Sequence, residues 1–75
     1  MSQEMKKYEA SFVPIEPFEG SHVIRREFER PTDDRAIRHS ENVCPHFVTK
    51  KNGLLASVPK KLIELSDPPR VVKEW

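Results

Sequence analysis

Three histidines and a single cysteine are the side chains of this 75-residue chain best suited to hold a metal ion. Tetrahedral zinc sites use sulfur and imidazole ligands, so a zinc-stabilised interaction domain is one hypothesis. The candidate ligands are His22, His39, Cys44 and His46. Their spacing departs from the closely spaced cysteine or histidine pairs of known zinc modules, and a lone cysteine is commonly a small buried hydrophobe. The sequence therefore predicts no cofactor, with zinc kept as an alternative.

Cys44 and His46 also have the residue types of a thiol nucleophile and its base. Residues two apart in a strand point to the same side of a sheet, so contact between them is conceivable. A catalytic thiol also needs a cleft and an oxyanion-stabilising group, and the pattern supplies neither. A phosphate-binding glycine loop is excluded because Gly20 and Gly53 are far apart. We therefore expect no enzymatic activity and no small-molecule substrate.

Three pairs of adjacent basic residues offer phosphate contacts, which makes a nucleic-acid-binding module the alternative function. These pairs are Arg25-Arg26, Lys50-Lys51 and Lys60-Lys61. Acidic residues stand beside the arginines, and the formal net charge of the chain is only +1. Dedicated nucleic-acid binders normally carry a pronounced basic patch. A solvated surface of mixed charge is therefore the competing interpretation.

Length and cysteine count limit the class of protein. Seventy-five residues suffice for one small domain, which buries roughly 60% of its unfolded surface and often depends on a partner. The single cysteine permits no internal disulfide, which favours a reducing compartment. The sequence shows neither an apolar run of about 20 residues nor the apolar core of a signal peptide. We therefore expect a cytoplasmic protein without membrane contact.

The first strand is indicated by alternation of apolar residues. Residues 1–7 are polar and predicted to be flexible, and the single domain is expected over residues 8–75. Alternation over residues 8–13 is typical of a strand. One side of it carries Tyr8, Ala10 and Phe12. Pro14 and Pro17 are expected to end this strand or to confine it to a sheet edge.

A second strand and a short helix are expected next. Residues 21–30 fit either a strand or a helix, and the glycine and proline that flank them favour the strand. Thr32 is a suitable helix N-cap, and two acidic residues follow it in the first turn. The sequence thus predicts a short helix near residues 33–39. Residues 40–42 are expected to form a loop.

The strongest signal is a β-hairpin at about residues 46–58, turning at Asn52-Gly53. Asparagine and glycine accept the positive φ that both central positions of a two-residue type I′ turn require. This turn would pair Val48 with Ser57 and Phe47 with Val58. The core side of the hairpin would then carry Phe47, Thr49, Leu54, Ala56 and Val58.

The C-terminal third leaves two choices open. Pro59 either starts a short helix or continues an extended segment. Asp67-Pro68-Pro69 ends the element before it. Residues 71–75 form either a last short strand or part of a loose tail that begins at residue 67, with Trp75 exposed.

These elements predict a small single domain of the α+β or mostly-β class, with the hairpin, one or two further strands and the short helix. Because chemistry is lacking, we expect an accessory or regulatory protein that binds a larger cytoplasmic protein machine. One form of this hypothesis is a viral or phage modulator that inhibits host transcription. The predicted partner contacts are Lys50, Lys51, Val71, Val72 and Trp75. Open sheet edges and a tryptophan are typical of interfaces.

Overall fold

The computed structural model describes residues 4–16, 23–49 and 53–75, which form five strands and one helix. In chain order the elements are β1 (Lys6–Pro14), β2 (Ile24–Arg30), α1 (Asp33–Asn42), β3 (His46–Thr49), β4 (Gly53–Glu64) and β5 (Arg70–Glu74). The strands pair in antiparallel fashion in a curled sheet of order β2-β1-β4-β3, and β5 also pairs with β4. The predicted fold class is confirmed.

β1 lies inside the sheet, between β2 and β4, and its alternating sequence places one side in the core. The buried core consists of Tyr8, Ala10, Phe12, Ala36 and Leu62. The predicted strand is therefore formed, and the side that carries Tyr8, Ala10 and Phe12 faces the core. β1 already begins at Lys6, so part of the segment 1–7 predicted to be flexible belongs to the sheet. Pro14 is its last residue, where a missing backbone N–H disturbs the ladder least. Pro17 lies outside the described residues.

β2 and α1 follow the local signals in the sequence. Residues 24–30 form a strand, as the flanking residues favoured. The Thr32 hydroxyl caps α1 by accepting a hydrogen bond from the Arg35 N–H at 3.3 Å. The loop predicted over residues 40–42 is wrong, because α1 continues through it. Ser40 is buried and donates to the Ala36 carbonyl at 2.9 Å, which ties the last turn to the core. No helix in the described parts of the chain has the length and apolar character needed to cross a membrane.

β3 and β4 form the predicted hairpin, but with a different register. Val48 lies opposite Leu54, whereas the predicted two-residue turn paired Val48 with Ser57. Residues 50–52, outside the described residues, separate the end of β3 from the start of β4. Gly53 has a φ of 72°, a conformation that favours glycine. The turn is thus longer than the two-residue prediction.

The register difference reverses the side of β4 that faces the core. Side chains alternate between the two sides of a strand, so a shift by an odd number of residues exchanges the sides. Phe47 is buried as predicted, but Ser57 is the β4 residue buried near it. Leu54, Ala56 and Val58 are exposed instead of buried. Their assignment to the core is therefore wrong.

β4 runs through Pro59, so the extended alternative is correct and the short helix is not formed. Phe12 of β1 pairs with Pro59, and the preceding Ser11 pairs with Lys61, which leaves Lys60 as an extra residue in β4. Proline is tolerated at such bulges because its missing N–H breaks no regular ladder bond. The bulge lies between the part of β4 that pairs with β3 and the part that pairs with β5.

The C-terminal residues form the last strand rather than a loose tail. β5 pairs with β4, and Leu62 lies opposite Lys73. The backbone N–H of Trp75 donates to the Lys60 carbonyl at 2.9 Å, directly at the bulge. The chain end is therefore fixed to the sheet next to the place where β4 changes register.

Candidate functional site

The C-terminal residues predicted as partner contacts point in different directions. Val71 is exposed, whereas Val72 packs against the core. Trp75 is 40% exposed and contacts the end of α1. Lys50 and Lys51 lie outside the described residues, so their role stays a prediction.

The side chain of Trp75 is held in place by two contacts, with Glu41 and with Lys73. Its indole N–H donates to the Glu41 carboxylate at 2.9 Å. The Lys73 ammonium lies 5.3 Å from the centroid of the ring and 3.6 Å from the same carboxylate. The indole hydrogen bond and the nearby ammonium lower the pKa of Glu41. The ring is thus oriented while part of its surface stays open to solvent.

The ring of Trp75 forms one wall of a shallow concavity of about 600 Å³. The other lining residues are Val13, Glu41, Val58, Pro59 and Lys60. Apolar groups make up most of this lining, and Glu41 and Lys60 are its two charged side chains. The concavity has the composition of a pocket for an apolar side chain of a partner.

Exposed apolar side chains continue from this concavity along the outer side of the sheet, opposite the core. Val48 and Leu54 lie directly opposite each other on β3 and β4 and are 81% and 69% exposed. Val13 lies opposite Val58, and Ile15 donates its N–H to the Ala56 carbonyl at 2.9 Å. We call this surface the apolar face; it consists of Val13, Ile15, Val48, Leu54, Ala56 and Val58.

Sequence reasoning missed the apolar face because it assigned half of its residues to the core. Alternation within β4 shows that two sides differ, but it does not show which side is covered. The length of the turn decides this, and the residues of the turn are compatible with more than one length. Val48 is absent from the core side that the hairpin pattern predicts, and this absence was a signal that pointed to the exposed surface.

A network of hydrogen bonds lies where β1, α1 and β5 meet. The Tyr8 hydroxyl donates to Asp33 at 2.7 Å, and Arg70 donates to both oxygens of Asp33 at 2.9 Å and to Glu64 at 2.8 Å. These donors lower the pKa of Asp33, while burial and the carboxylate raise the pKa of Tyr8. Asp33 and Glu64 share the single positive charge of Arg70, so the network joins these elements and keeps a formal charge of −1.

The predicted metal ligands have other partners in the structure. His39 lies against the Phe28 ring at 4.4 Å between centroids, and its Nδ1 contacts Arg30 at 2.7 Å. The Cys44 thiol donates to the Ser40 carbonyl at 3.3 Å, and burial raises its pKa, which disfavours the reactive thiolate.

His46 lies at the exposed start of β3. Within the described ranges, no three His, Cys, Asp or Glu residues are grouped to hold a metal ion. His22 lies outside those ranges, so the zinc hypothesis stays a prediction.

The structure divides the predicted basic pairs between the two sides of the sheet. Arg25 and Lys61 both lie opposite Ser11, on the outer side, where they approach Glu9 and Glu74 at 3.9 and 3.8 Å. Arg26 lies on the other side of β2. Lys60 is the bulge residue and lines the Trp75 concavity. The described basic pairs therefore do not form one common patch.

Comparison of the chain with protein-family models, with curated proteins and with solved structures gives no match.

Proposed function

We propose that this chain is a non-enzymatic accessory protein that binds a larger cytoplasmic protein through the apolar face. The observation that carries the proposal is the exposure of Val48 and Leu54, 81% and 69%, side by side on one hairpin. Single exposed apolar residues are ordinary, whereas contiguous ones mark interaction surfaces. Burial of such a surface against a partner contributes about 25 cal/mol per Å² of apolar area.

The two ends of the sheet differ in a way that supports this proposal. β2 forms one end, and its sequence Ile-Arg-Arg-Glu-Phe-Glu-Arg is dominated by charges that discourage pairing with another strand. β3 forms the other end and has the sequence His-Phe-Val-Thr, without a formal charge at neutral histidine. A partner strand is therefore accepted more readily at β3, next to the apolar face.

The concavity beside Trp75 supplies a second element of an interface. Val13 and Val58 belong both to the apolar face and to the lining of this concavity, so the two surfaces are continuous. An oriented tryptophan at the border of an apolar surface has the properties of an interface hot spot. The partner would thus cover the hairpin and fill the concavity in one contact.

The test replaces apolar surface without adding charge. Val48→Thr with Leu54→Thr gives both strands a β-branched residue suited to a strand and removes the apolar contact. Val43→Thr with Met5→Thr is the matched control, since these side chains are 57% and 48% exposed but lie outside the apolar face. Tagged forms of the wild type and both variants are used to capture partners from a cytoplasmic extract, with quantitative mass spectrometry. Circular dichroism verifies that each variant is folded.

We expect recovery of a specific partner to fall at least about tenfold for the V48T/L54T protein, equivalent to 1.4 kcal/mol or more, and to be unchanged for the control. Equal recovery with both variants would contradict the proposal. The proposal also fails if the wild type captures no specific protein and light scattering shows a dimer that V48T/L54T dissociates. The apolar face would then join two copies of this chain.

A further inference from the structure

A second surface, on the side of β2 that faces α1, is lined by arginines. Arg26 and Arg30 lie opposite Ala10 and Lys6, and therefore on the same side of β2 as Phe28. A concavity of about 500 Å³ opens between this strand and α1. Its lining residues are Arg30, Arg35, Arg38, His39, Asn42 and Val43. A neighbouring concavity of about 220 Å³ includes Arg26 and shares His39 and Val43. We call Arg26, Arg30, Arg35 and Arg38 the arginine seam.

The positive charges of the arginine seam are not neutralised within the described residues. None of the four guanidinium groups has a carboxylate within 4.0 Å there, whereas Arg25 approaches Glu9 and Arg70 binds two carboxylates. The carboxylate of Glu41, at the end of α1, binds Trp75 and Lys73 and not a seam arginine.

Three further acidic residues lie close to the seam in sequence, namely Glu27, Glu29 and Asp34. Glu27 also lines the smaller concavity, but no ion pair joins any of the three to a seam arginine in the described part of the chain. Four cationic groups therefore face solvent at one border of the domain.

Arg30 is oriented without being neutralised. Its guanidinium donates to the Glu29 carbonyl at 2.6 Å and to Nδ1 of His39 at 2.7 Å, and it lies 5.6 Å from the centroid of the Phe28 ring. All these partners are uncharged. A guanidinium group can only donate, so Nδ1 of His39 must carry no proton in order to accept this hydrogen bond. Burial and the positive charge of Arg30 lower the pKa of His39, which favours this neutral form. A fixed guanidinium with its full charge is suited to bind an oxyanion.

We propose that the arginine seam binds the phosphate backbone of a nucleic acid. Guanidinium groups match phosphate geometry, and four of them spread over a strand and a helix fit a ligand with many regularly placed anions. Phe28, the aromatic residue of this surface, is half-buried and already packs against Arg30 and His39, so base stacking is not needed for the contact. The contact is therefore with phosphates and independent of sequence. This inference goes beyond the proposed protein binding and uses a different surface.

The test measures the fluorescence anisotropy of labelled single-stranded and duplex DNA at about 50 mM and about 200 mM salt. Arg35→Gln with Arg38→Gln removes two seam charges, and neither side chain has a hydrogen bond or ion pair among the described residues. Lys60→Gln with Lys61→Gln is the control, with the same loss of charge outside the seam. Polyglutamate at matched charge concentration serves as the competitor. Val48→Thr with Leu54→Thr is also measured, so that failure of the protein-binding proposal is distinguishable.

We expect the wild type to bind DNA with a dissociation constant on the order of 10⁻⁴ to 10⁻⁶ M, weakening with salt. The R35Q/R38Q protein should bind at least about tenfold more weakly at low salt, with a salt slope smaller by about 0.9 per lost contact on duplex DNA. The K60Q/K61Q and V48T/L54T proteins should bind like the wild type. Absence of binding at low salt, or an equal loss for K60Q/K61Q, would overturn the proposal. So would equally effective displacement by polyglutamate, which would identify an acidic protein as the ligand.

Discussion

Tyr8 contributes to this domain twice, through a ring that is fully buried and a hydroxyl that donates to Asp33 at 2.7 Å. Tyr8→Phe keeps the ring and removes the hydrogen bond. We expect the free energy of unfolding to fall by about 1.5 kcal/mol, the lower end for a charged acceptor, because Asp33 is partly exposed. Urea denaturation at neutral pH measures this loss.

The same substitution should raise the pKa of Asp33, since the Tyr8 hydroxyl is the largest cause of its lowering. A carboxyl whose pKa is lowered by folding stabilises the folded state above its unfolded pKa of 3.8, and this contribution is lost as the pH falls through the folded pKa. The difference between wild type and Y8F should therefore shrink in acid. An unchanged Asp33 titration by NMR in the variant would contradict the assignment.

His39 also makes the stability of the domain dependent on pH, in a higher pH range than Asp33. Its pKa is lowered below 6.5 by burial and by Arg30, so the unfolded chain binds more protons between the two pKa values. We expect the contribution of His39 to the free energy of unfolding to be fully present above about pH 6.5. This contribution is lost as the pH decreases through the folded pKa. Arg30→Gln should raise the pKa of His39, and Arg25→Gln should not. NMR titration of the imidazole resonances tests this, and an equal shift in both variants would contradict it.

At the scale of elements, the hairpin depends on one backbone conformation. Gly53 has a φ of 72°, and a Cβ added there meets no atom within 4 Å. The cost of Gly53→Ala is therefore confined to the backbone, about 1–2 kcal/mol. Gly53→Asn is the control, because asparagine adopts positive φ more readily than alanine and should cost less. Thermal denaturation compares the two, and equal losses would show that the conformation of residue 53 does not limit stability.

The bulge at Lys60 explains how β4 reaches both ends of the sheet. β3 pairs with residues 53–56 of β4, and β5 pairs with residues 61–64 on the same edge. Pro59 lies in the gap between these two partners, where its missing N–H is tolerated. The Trp75 N–H bonds to the carbonyl of the bulge residue, so the irregular segment also fixes the chain end.

At the scale of the whole molecule, a small core carries an extended sheet. The domain measures 49 × 24 × 16 Å, and Leu62 is one of only five residues in the described core cluster. We expect Leu62→Ala to cost about 2–5 kcal/mol, a large part of the roughly 4–11 kcal/mol typical of this length. Leu54→Ala, on the apolar face, should change stability by less than about 0.5 kcal/mol. Urea denaturation of both variants tests whether the two leucines have the different roles that their exposure indicates.

The two proposed surfaces give this small molecule two distinct contacts. The apolar face lies on the outer side of β1, β3 and β4, whereas the arginine seam lies between β2 and α1. Contacts on separate surfaces permit simultaneous binding of a protein and a nucleic acid. V48T/L54T changes only the apolar face and R35Q/R38Q changes only the arginine seam, so these two variants separate the two activities.

Local chemistry in the sequence determined several features correctly. The alternation of Tyr8, Ala10 and Phe12 identified a strand and the residues that share one side of it, because side chains of a strand alternate between its two sides. The hydroxyl of Thr32 identified the start of the helix, since it satisfies a backbone N–H that the helix cannot. These features depend on neighbours within a few residues, and for that reason the sequence alone was sufficient.

Only the tertiary structure decided the register of the hairpin and the surfaces that follow from it. The pairing of Val48 with Leu54 depends on turn length and on what covers each side of β4, and neither is a local property. Arg30 lines the same concavity as Arg35 and Arg38 because β2 and α1 meet across the turn at Pro31. Sequence spacing gives the adjacent pairs, such as Arg25-Arg26, but these point to opposite sides of the strand. The sequence therefore specified the elements, while long-range contacts determined which residues share a surface.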